Sequence, residues 1–399
     1  MPILIDGIPH EDGIFPLQLT QGAAHKLKTS PGQGSLSFGP KEQLPKADLW
    51  LAADAPVLWP CFDPFATPAG SPWPRIFYYA GNDSSSFFAW AQHRPIEGFT
   101  WYPQLQQDVL TDPSQANIRE LSIHLQQGNL GHIHLKLPEQ GLRLHLHGQL
   151  SQITVTGGLS DSLSLNPTTS KNPADAPLQL PDMGALKKVN ALELGNGAGK
   201  QAISLQSLLQ FSELESLSLW GNHSDLALLS SCAQLKALSL RLMPHLQGLP
   251  ALQTWPALDF FVAYNVEEAT GKRLRQQLKE RAKERPWAEH AAVSQLRKPE
   301  WWARAYGRPF NSWPAARAKI GHAAYDLAEQ QLNAAQSLSD VQTALTGFTR
   351  RFNTVKGIET TEREDLGQAV NQLAQLPAAQ LLGLTDEQAQ HWFDESRDY

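Results

Sequence analysis

Apolar residues between Val189 and Asn265 follow one pattern four times. Each copy consists of an apolar residue, two spacers, a second apolar residue, one spacer and a third apolar residue. The copies are Val189-Leu192-Leu194, Leu214-Leu217-Leu219, Leu235-Leu238-Leu240 and Leu258-Phe261-Ala263. They begin 25, 21 and 23 residues apart. The alternation predicts a short strand in each copy, and such strands bury their apolar faces only by stacking on one another.

The segments between the copies predict compact returns. Gln201 to Phe211 carries apolar residues near helical spacing, and Leu226 to Leu229 is a shorter version. Strands and returns together resemble the bacterial leucine-rich-repeat family, whose repeat lengths include these spacings. The family's asparagine after the third apolar position fits in part, because Asn196 and Asn222 lie two and three residues beyond it. We therefore expect irregular repeats.

Apolar triplets of similar spacing begin earlier, but they are closer together. They are Ile118-Leu121-Ile123, Leu130-Ile133-Leu135 and Leu150-Ile153-Val155, with near variants Leu142-Leu144-Leu146 and Leu159-Leu163-Leu165. The step is about ten residues, which is shorter than a leucine-rich repeat and leaves no room for a return helix. This half predicts a tight β-solenoid or a run of hairpins.

The first 112 residues are rich in proline and aromatic side chains. X-Pro steps such as Trp59-Pro60 and Asp63-Pro64 disfavour long helices, and Arg75 to Ala80 predicts a strand. We expect a small, mostly irregular β region that caps the first repeat, because an open end would expose apolar core. An aromatic binding surface is the alternative.

The chain becomes helical after Asn265. The expected helices are 267–285, 287–296, 300–306, 314–336, 339–352, 361–376 and 386–394. Thr361 and Glu364 fit a capping box, and Ser337 to Asp340 is a second start signal. The fold class predicted is therefore α+β: an N-terminal irregular β cap (1–112), a leucine-rich-repeat-like β-solenoid (113–266) and a C-terminal helical bundle (267–399).

Composition narrows the class of protein. The chain has 399 residues, 41% of them hydrophobic, and a net charge of -6, which does not favour nucleic-acid binding. Its two cysteines, Cys61 and Cys232, make no disulfide framework. The residues from Met1 to Asp6 do not resemble a signal peptide, and no apolar run approaches the ~20 residues of a membrane span. We expect a cytoplasmic protein without a membrane partner.

Polar spacers in the early strands are rich in histidine. They include Ser122, His124, His132, His134, Lys136, Arg143, His145, His147, Thr154 and Thr156. Stacked strands would align them as one ladder on an open sheet. Three interpretations of this ladder are open: a solvated face, a protein-binding face and, third, a zinc, copper or nickel site. The metal site ranks last because no cysteine and no fixed ligand spacing accompany the histidines.

Two later residues extend the same candidate surface. Trp220 and Arg241 follow repeat strands and are typical anchors for a protein partner, although packing against the next turn explains them equally well. The predicted partner-binding residues are His124, His132, His134, Arg143, His145, Trp220 and Arg241. No catalytic residue, metal ligand or cofactor is predicted.

Two further patterns bear on ligand binding. Gly195 to Gln201 is similar to a phosphate loop, but Leu194 and Gln201 replace its first glycine and its hydroxyl residue, so nucleotide binding is rejected. The helix predicted at 267–285 is strongly basic. A solvated face explains this charge best, an acidic partner second and nucleic acid third.

The C-terminal part carries a second resemblance. Its phrases are Tyr264-Asn265-Val266-Glu267-Glu268-Ala269, Gly271-Lys272-Arg273-Leu274 and Ile358-Glu359-Thr360-Thr361-Glu362-Arg363-Glu364-Asp365. They look like the helical end of bacterial leucine-rich-repeat proteins that are encoded beside polymorphic toxins and are regarded as immunity proteins. The resemblance implies a protein that binds and neutralises a cognate toxin. It carries over no catalytic residue.

The sequence shows none of the common catalytic signatures. It lacks a Gly-x-Ser-x-Gly elbow, a His-Glu-x-x-His pair, a Cys-x-x-Cys pair and a dinucleotide fingerprint. We therefore expect a non-enzymatic, protein-binding protein, in first place an immunity protein. A scaffold or regulator with a housekeeping partner is the alternative, and a metal-dependent protein that uses the histidine-rich strands is the second. The sequence does not indicate an oligomeric state.

Overall fold

The computed structural model describes residues 2–11, 13–30, 32–83, 85–126, 128–139, 141–158, 160–170, 172–197, 200–310 and 313–399. The chain forms two compact units, Met1–Leu296 and Arg297–Tyr399. Residues 267–296, assigned to the helical region from sequence, pack in the first unit, where Leu274 and Val293 join its core. No helix among the described residues is long and apolar enough to cross a membrane.

The first unit consists mainly of short strands. These are β1 (Ile3–Ile5), β2 (Ile8–His10), β3 (Ile14–Thr20), β4 (Ala23–Lys28), β5 (Ser35–Gly39), β6 (Leu49–Trp50), β7 (Phe65–Ala66), β8 (Ile76–Ala80), β9 (Ile96–Tyr102), β10 (Val109–Thr111), β11 (Ile118–Leu125), β12 (Ile133–Leu137), β13 (Arg143–Gly148), β14 (Ile153–Gly157), β15 (Ser162–Pro167), β16 (Ala191–Gly195), β17 (Ile203–Ser204), β18 (Ser216–Trp220), β19 (His223–Ser224), β20 (Ala237–Met243), β21 (Phe260–Glu267) and β22 (His290–Arg297). The α-helices of this unit are α1 (Ser85–Trp90) and α2 (Glu268–Glu284).

One sheet organises this unit. Within the described residues it has twelve strands in the order β22-β21-β20-β18-β16-β15-β13-β11-β9-β8-β5-β6. Every neighbouring pair from β21 to β6 is parallel. The four strands predicted between Val189 and Asn265 are confirmed as β16, β18, β20 and β21. Their register partners, for example Ala191 and Ser216, lie as far apart in the chain as the starts of the sequence copies.

The apolar residues of these strands form continuous buried rows. Leu192, Leu217, Leu238 and Phe261 are neighbours in register across β16, β18, β20 and β21, and all are at most 3% exposed. Burying each such side chain contributes about 1.5–3 kcal/mol relative to leaving it in water. A single strand cannot bury these side chains, so the apolar pattern is stabilising only when the strands stack on one another.

A second parallel sheet explains the close spacing of the early triplets. It has the order β10-β12-β14, and these strands alternate along the chain with β9, β11, β13 and β15 of the large sheet. The predicted step of about ten residues is therefore the length of chain from a strand of one sheet to the next strand in the other sheet. One full turn contains both strands and is twice as long. The hairpin interpretation is wrong, since both sets of strands are parallel. Leu159, the first residue of one triplet, lies outside the described residues.

The returns after β16 and β18 are 3₁₀ helices. They span Leu205–Gln210 and Leu226–Ser231, and others occur at Trp59–Phe62, Leu150–Gln152, Gly184–Lys188 and Leu252–Thr254. The Ser204 hydroxyl accepts a hydrogen bond from the Gln206 N–H and caps the first of them. Compact returns were predicted there from the apolar spacing.

The N-terminal region joins the large sheet instead of forming a separate irregular cap. Strands β5, β6, β8 and β9 continue the parallel order, while β1, β2 and β7 pair antiparallel and β3 pairs with β4 as a hairpin. Large aromatic side chains fill the space behind β8 and β9. Phe87 stacks on Phe99 at 3.6 Å between ring centroids, and Trp59 meets Phe87 at 4.6 Å. The aromatic-rich sequence thus packs as core.

A buried asparagine links consecutive turns. The Asn196 side-chain oxygen accepts the N–H of Asn222 at 2.9 Å, and its amide donates to the Gln201 carbonyl oxygen at 2.6 Å. In the earlier half, the side-chain oxygen of Asn129 accepts the N–H of Leu105 at 2.7 Å. These side chains form hydrogen bonds with backbone groups of the loops that follow the strands. Successive turns can therefore stack even though their loops are irregular.

The last elements of the first unit differ in part from expectation. Helix α2 is confirmed, but the helix predicted at 287–296 is strand β22, which pairs with β21 at the edge of the sheet. The pattern there is ambiguous, because Val293 is the one buried side chain and Gln295 has a left-handed backbone with φ 52°. Pairing with β21 decides between helix and strand.

The second unit is helical. Its helices are α3 (Pro299–Arg304), α4 (Ala315–Ala334), α5 (Leu338–Arg350), α6 (Thr360–Ala374), α7 (Pro377–Leu381) and α8 (Asp386–Ser396). Their core includes Phe310, Leu345 and Phe393. The start signal at Ser337 is confirmed as a capping box with Asp340. The second capping box was predicted two residues too late, since Glu359 and Glu362 form it and not Thr361 and Glu364.

Candidate functional site

The large sheet presents one face away from its core, called here the sheet face. Its polar side chains align in two rows because the strands are parallel and in register. The central row is Tyr78, Thr100, Ser122, His145, Ser164, Glu193, Ser218, Ser239 and Val262. The end row, two residues nearer the carboxyl ends of the strands, includes Tyr102, His124, His147, Asn166, Trp220, Arg241 and Tyr264.

Two imidazole rings stack in the early part of the end row, and a tyrosine ring packs against them at a tilt. The His124 and His147 rings lie 4.0 Å apart at an interplanar angle of 4°, and Tyr102 lies 4.6 Å from His124 on the other side. The Ser122 hydroxyl is 3.0 Å from His124 Nε2. Burial, together with smaller effects of the neighbouring His147 and His145, lowers the pKa of His124 to about 4. The His124 imidazole is therefore uncharged near pH 7.

This stacking does not create a metal site. The lone pairs of an imidazole lie in the plane of its ring, so two parallel rings direct them side by side and not toward one point. Among the residues that the structure describes, no group of three or more His, Cys, Asp or Glu side chains is placed to hold a metal ion.

The charged side chains of the early half lie beside the stack. His145 Nε2 is 3.5 Å from a Glu120 carboxylate oxygen, and Glu120 is the register partner of Arg143. Burial lowers the pKa of His147, and the adjacent His145 adds to this effect. Arg143 is exposed. His124, Arg143 and His145, all predicted as partner-binding residues, therefore lie together on the sheet face.

Two predicted histidines lie elsewhere. His132 directly precedes strand β12 and His134 belongs to it, so both are part of the second sheet. Asp108 accepts the His132 N–H at 2.9 Å and lies 3.9 Å from His134 Nε2. The expectation of one histidine ladder is therefore wrong, because alternate strands return on a different sheet.

Trp220 and Arg241 form a fixed pair in the later half of the sheet face. The indole of Trp220 lies over Gly195, where a Cβ atom would come within 2.2 Å of the ring. The guanidinium of Arg241 donates to the hydroxyls of Ser239 at 3.2 Å and Ser218 at 3.4 Å. The missing side chain at Gly195 and two short serines thus create the space in which an aromatic ring and a cation are held on the sheet surface.

Sequence reasoning missed Tyr264, which is 41% exposed and is the register partner of Arg241. The signal was present, because the residue after the third apolar position is Gly195, Trp220, Arg241 and Tyr264 in the four copies. It also missed Tyr102 and the stacking role of His147, which depend on contacts between strands.

The basic helix is largely tied to its own unit. Arg281 is buried, donates to the Leu258 carbonyl oxygen and lies 4.1 Å from the Trp287 ring, while Arg285 pairs with Asp259. The Arg275 Nε donates to the Val293 carbonyl oxygen at 3.0 Å. These contacts hold α2 against the end of the sheet, while Lys272, Arg273, Lys279 and Lys283 are exposed to solvent.

The phosphate-loop-like segment falls partly outside the described residues, which omit Ala198 and Gly199. Gly195, which follows the motif's first glycine position at Leu194, is accounted for by the ring of Trp220. Comparison of the chain with known protein families, characterised proteins and solved structures finds no match. A functional inference therefore depends on the residues and geometry of the chain itself.

Proposed function

We propose that the first unit is a solenoid of the leucine-rich-repeat type that binds a protein partner through its sheet face. The parallel strands, the 3₁₀ returns and the Asn196–Asn222 hydrogen bond support the repeat assignment. Solenoids of this kind use an extended sheet as a contact surface, which supports the choice of face.

The observation that carries the binding proposal is the pair Trp220 and Arg241. Tryptophan and arginine are enriched among the few residues that supply most of the binding free energy at interfaces. Here both are held in place before binding, by Gly195 and by two serine hydroxyls. A preorganised anchor loses little side-chain entropy when a partner docks.

The narrower proposal is a bacterial immunity protein that binds and neutralises a cognate toxin without catalysis of its own. The resemblance of Tyr264 to Leu274 and of Ile358 to Asp365 to such proteins supports it. The proposed location is the cytoplasm, where cysteines such as Cys61 and Cys232 stay reduced. A scaffold or regulator would use the same anchors, so the identity of the partner separates the two functions.

The test is co-purification with the product of the neighbouring gene. The full chain is compared with Trp220→Ala/Arg241→Ala and with Leu110→Ala/Lys136→Ala. The control pair also removes one large apolar and one cationic side chain, but from the second sheet, where Leu110 is 73% exposed.

We expect the wild type and the control variant to retain the partner. The affinity of the Trp220/Arg241 variant for the partner should fall at least tenfold, which corresponds to about 1.4 kcal/mol. Equal retention by all three proteins would contradict binding through the sheet face. A captured partner that is harmless to cells lacking this chain would contradict the immunity function and favour a scaffold.

A further inference from the structure

A groove of about 360 Å³ lies on the sheet face above strand β9. Gly98 and Thr100 line its middle, Tyr78 lies on the β8 side, and Arg119, Glu120 and Arg143 lie on the β11 and β13 side. The groove exists because Gly98 has no side chain between its register partners Ile76 and Glu120.

The charges around this groove are not balanced. The carboxylate of Glu97 accepts a hydrogen bond from Arg75 at 3.0 Å, and that of Glu120 lies 3.5 Å from His145 Nε2. Arg119 and Arg143 are exposed, and neither has an ion-pair partner among the residues that the structure describes. Arg75 thus neutralises Glu97, and Glu120 is the one other carboxylate of the described groove lining opposite Arg119 and Arg143.

We infer that this groove receives an acidic side chain, aspartate or glutamate, from the protein that docks on the sheet face. The inference rests on the proposed function and names the chemistry of the contact. A guanidinium binds a carboxylate through two parallel hydrogen bonds, and the Thr100 hydroxyl adds a donor beside it.

A physical constraint favours a carboxylate over a neutral group. Any partner that covers the sheet face removes water from Arg119 and Arg143. A guanidinium that is covered without an anion loses its hydration and gains nothing in return, which weakens binding. A lysine or arginine from the partner would add a third cation beside Arg119 and Arg143 and is disfavoured by repulsion.

The inference is tested with two blocked peptides of alanine and glycine, one with a central glutamate and one with glutamine. Binding to the full chain is followed through the NMR amide signals of Gly98 and Thr100. Three variants are compared with the wild type. Arg119→Gln/Arg143→Gln removes the charges, Gly98→Leu fills the groove, and Arg350→Gln/Arg351→Gln is the matched control on two exposed arginines of α5 and its end.

We expect the glutamate peptide to bind about tenfold more tightly than the glutamine peptide. The preference should persist in the Arg350/Arg351 variant and disappear in the Arg119/Arg143 variant, and Gly98→Leu should weaken both peptides. Equal affinities in the wild type, or a preference that survives loss of both groove arginines, would overturn the inference.

Failure of the groove assignment and failure of the proposed function would give different results. If the peptides show no preference while the Trp220/Arg241 variant still loses its protein partner, the sheet face remains the binding surface and only the groove assignment fails. If the peptide preference is found while partner capture ignores Trp220 and Arg241, the groove assignment stands and the proposed anchors fail.

Discussion

The indole ring of Trp220 lies over the backbone of Gly195 on the neighbouring strand, with no room for a Cβ atom between them. This contact explains a glycine that resembles part of a phosphate loop in sequence, and it gives the anchor residue a fixed position next to Arg241.

Gly195→Ala is predicted to displace the indole. The methyl group would come within 2.2 Å of the ring, so Trp220 must leave its site or the strands must separate. We expect a loss of about 1–3 kcal/mol in unfolding free energy and a shift in tryptophan fluorescence. Urea denaturation measures the first. Gly98→Ala on the same face is the control, because its Cβ would lie 3.5 Å from Ile76, an ordinary contact.

Asn196→Ala is predicted to weaken the stacking of two turns. It leaves the Asn222 N–H and the Gln201 carbonyl oxygen without their side-chain partner. Because Asn196 is 1% exposed, we expect a loss of about 2–3 kcal/mol. Chemical denaturation should show little change for Asn172→Ala, whose amide bonds Asp175 at the surface. Equal stability of both variants would contradict the linking role.

Buried His223 makes the stability of the first unit depend on pH. Burial lowers its pKa to about 4, partly opposed by the carbonyl groups of Gly221 and Leu194, whereas the unfolded value is about 6.5. Between these values the unfolded chain binds more protons, so stability falls as pH falls from about 6.5 to about 4 and then levels off. The loss from this one group is about 3 kcal/mol.

The variant His223→Leu should reduce this slope, while His391→Leu, which removes a solvent-exposed histidine, should not. Unfolding free energies measured at several pH values from 7 to 4 decide the matter. An unchanged slope in His223→Leu would show that other groups, such as His124, carry the dependence.

Arg308→Met is predicted to destabilise the helical unit. The Arg308 side chain is 10% exposed, pairs with Asp326 at 2.7 Å and Glu329 at 3.1 Å, and lies 4.1 Å from the Tyr325 ring. Removing it leaves the half-buried Glu329 carboxylate unpaired and leaves Asp326 only the exposed Arg304, at a cost of about 2–3 kcal/mol. Arg304→Met is the matched control, since its 73%-exposed side chain contacts Asp326 at 3.4 Å. Thermal unfolding should separate the two variants.

The sequence predicted the later half of the large sheet well. Leucine spacing in that half sets both the inward face and the register, because each turn contains one strand of the large sheet and a short return. Five helices of the second unit were also predicted to within a few residues, but the short α7 (Pro377–Leu381) was missed and the capping box at Glu359 was misplaced.

The early half shows where sequence reasoning stops. Apolar alternation identifies a strand but not the sheet that it joins, so His134 and His145 looked equivalent although they lie on different sheets. The same limit made 287–296 look helical. This segment is a strand because it pairs with β21 through hydrogen bonds, and the local sequence pattern does not reveal that pairing. The Trp220–Gly195 contact likewise depends on register between turns.

The most direct test of binding through the sheet face is oxidative labelling of the full chain, alone and with its partner bound. Trp220 and Tyr264 are accessible labels on that face, whereas Leu110 and His134 report on the second sheet. We predict that the partner protects Trp220 and Tyr264 severalfold and leaves Leu110 and His134 unchanged. Protection of Leu110 and His134, with Trp220 and Tyr264 still fully reactive, would contradict the proposal.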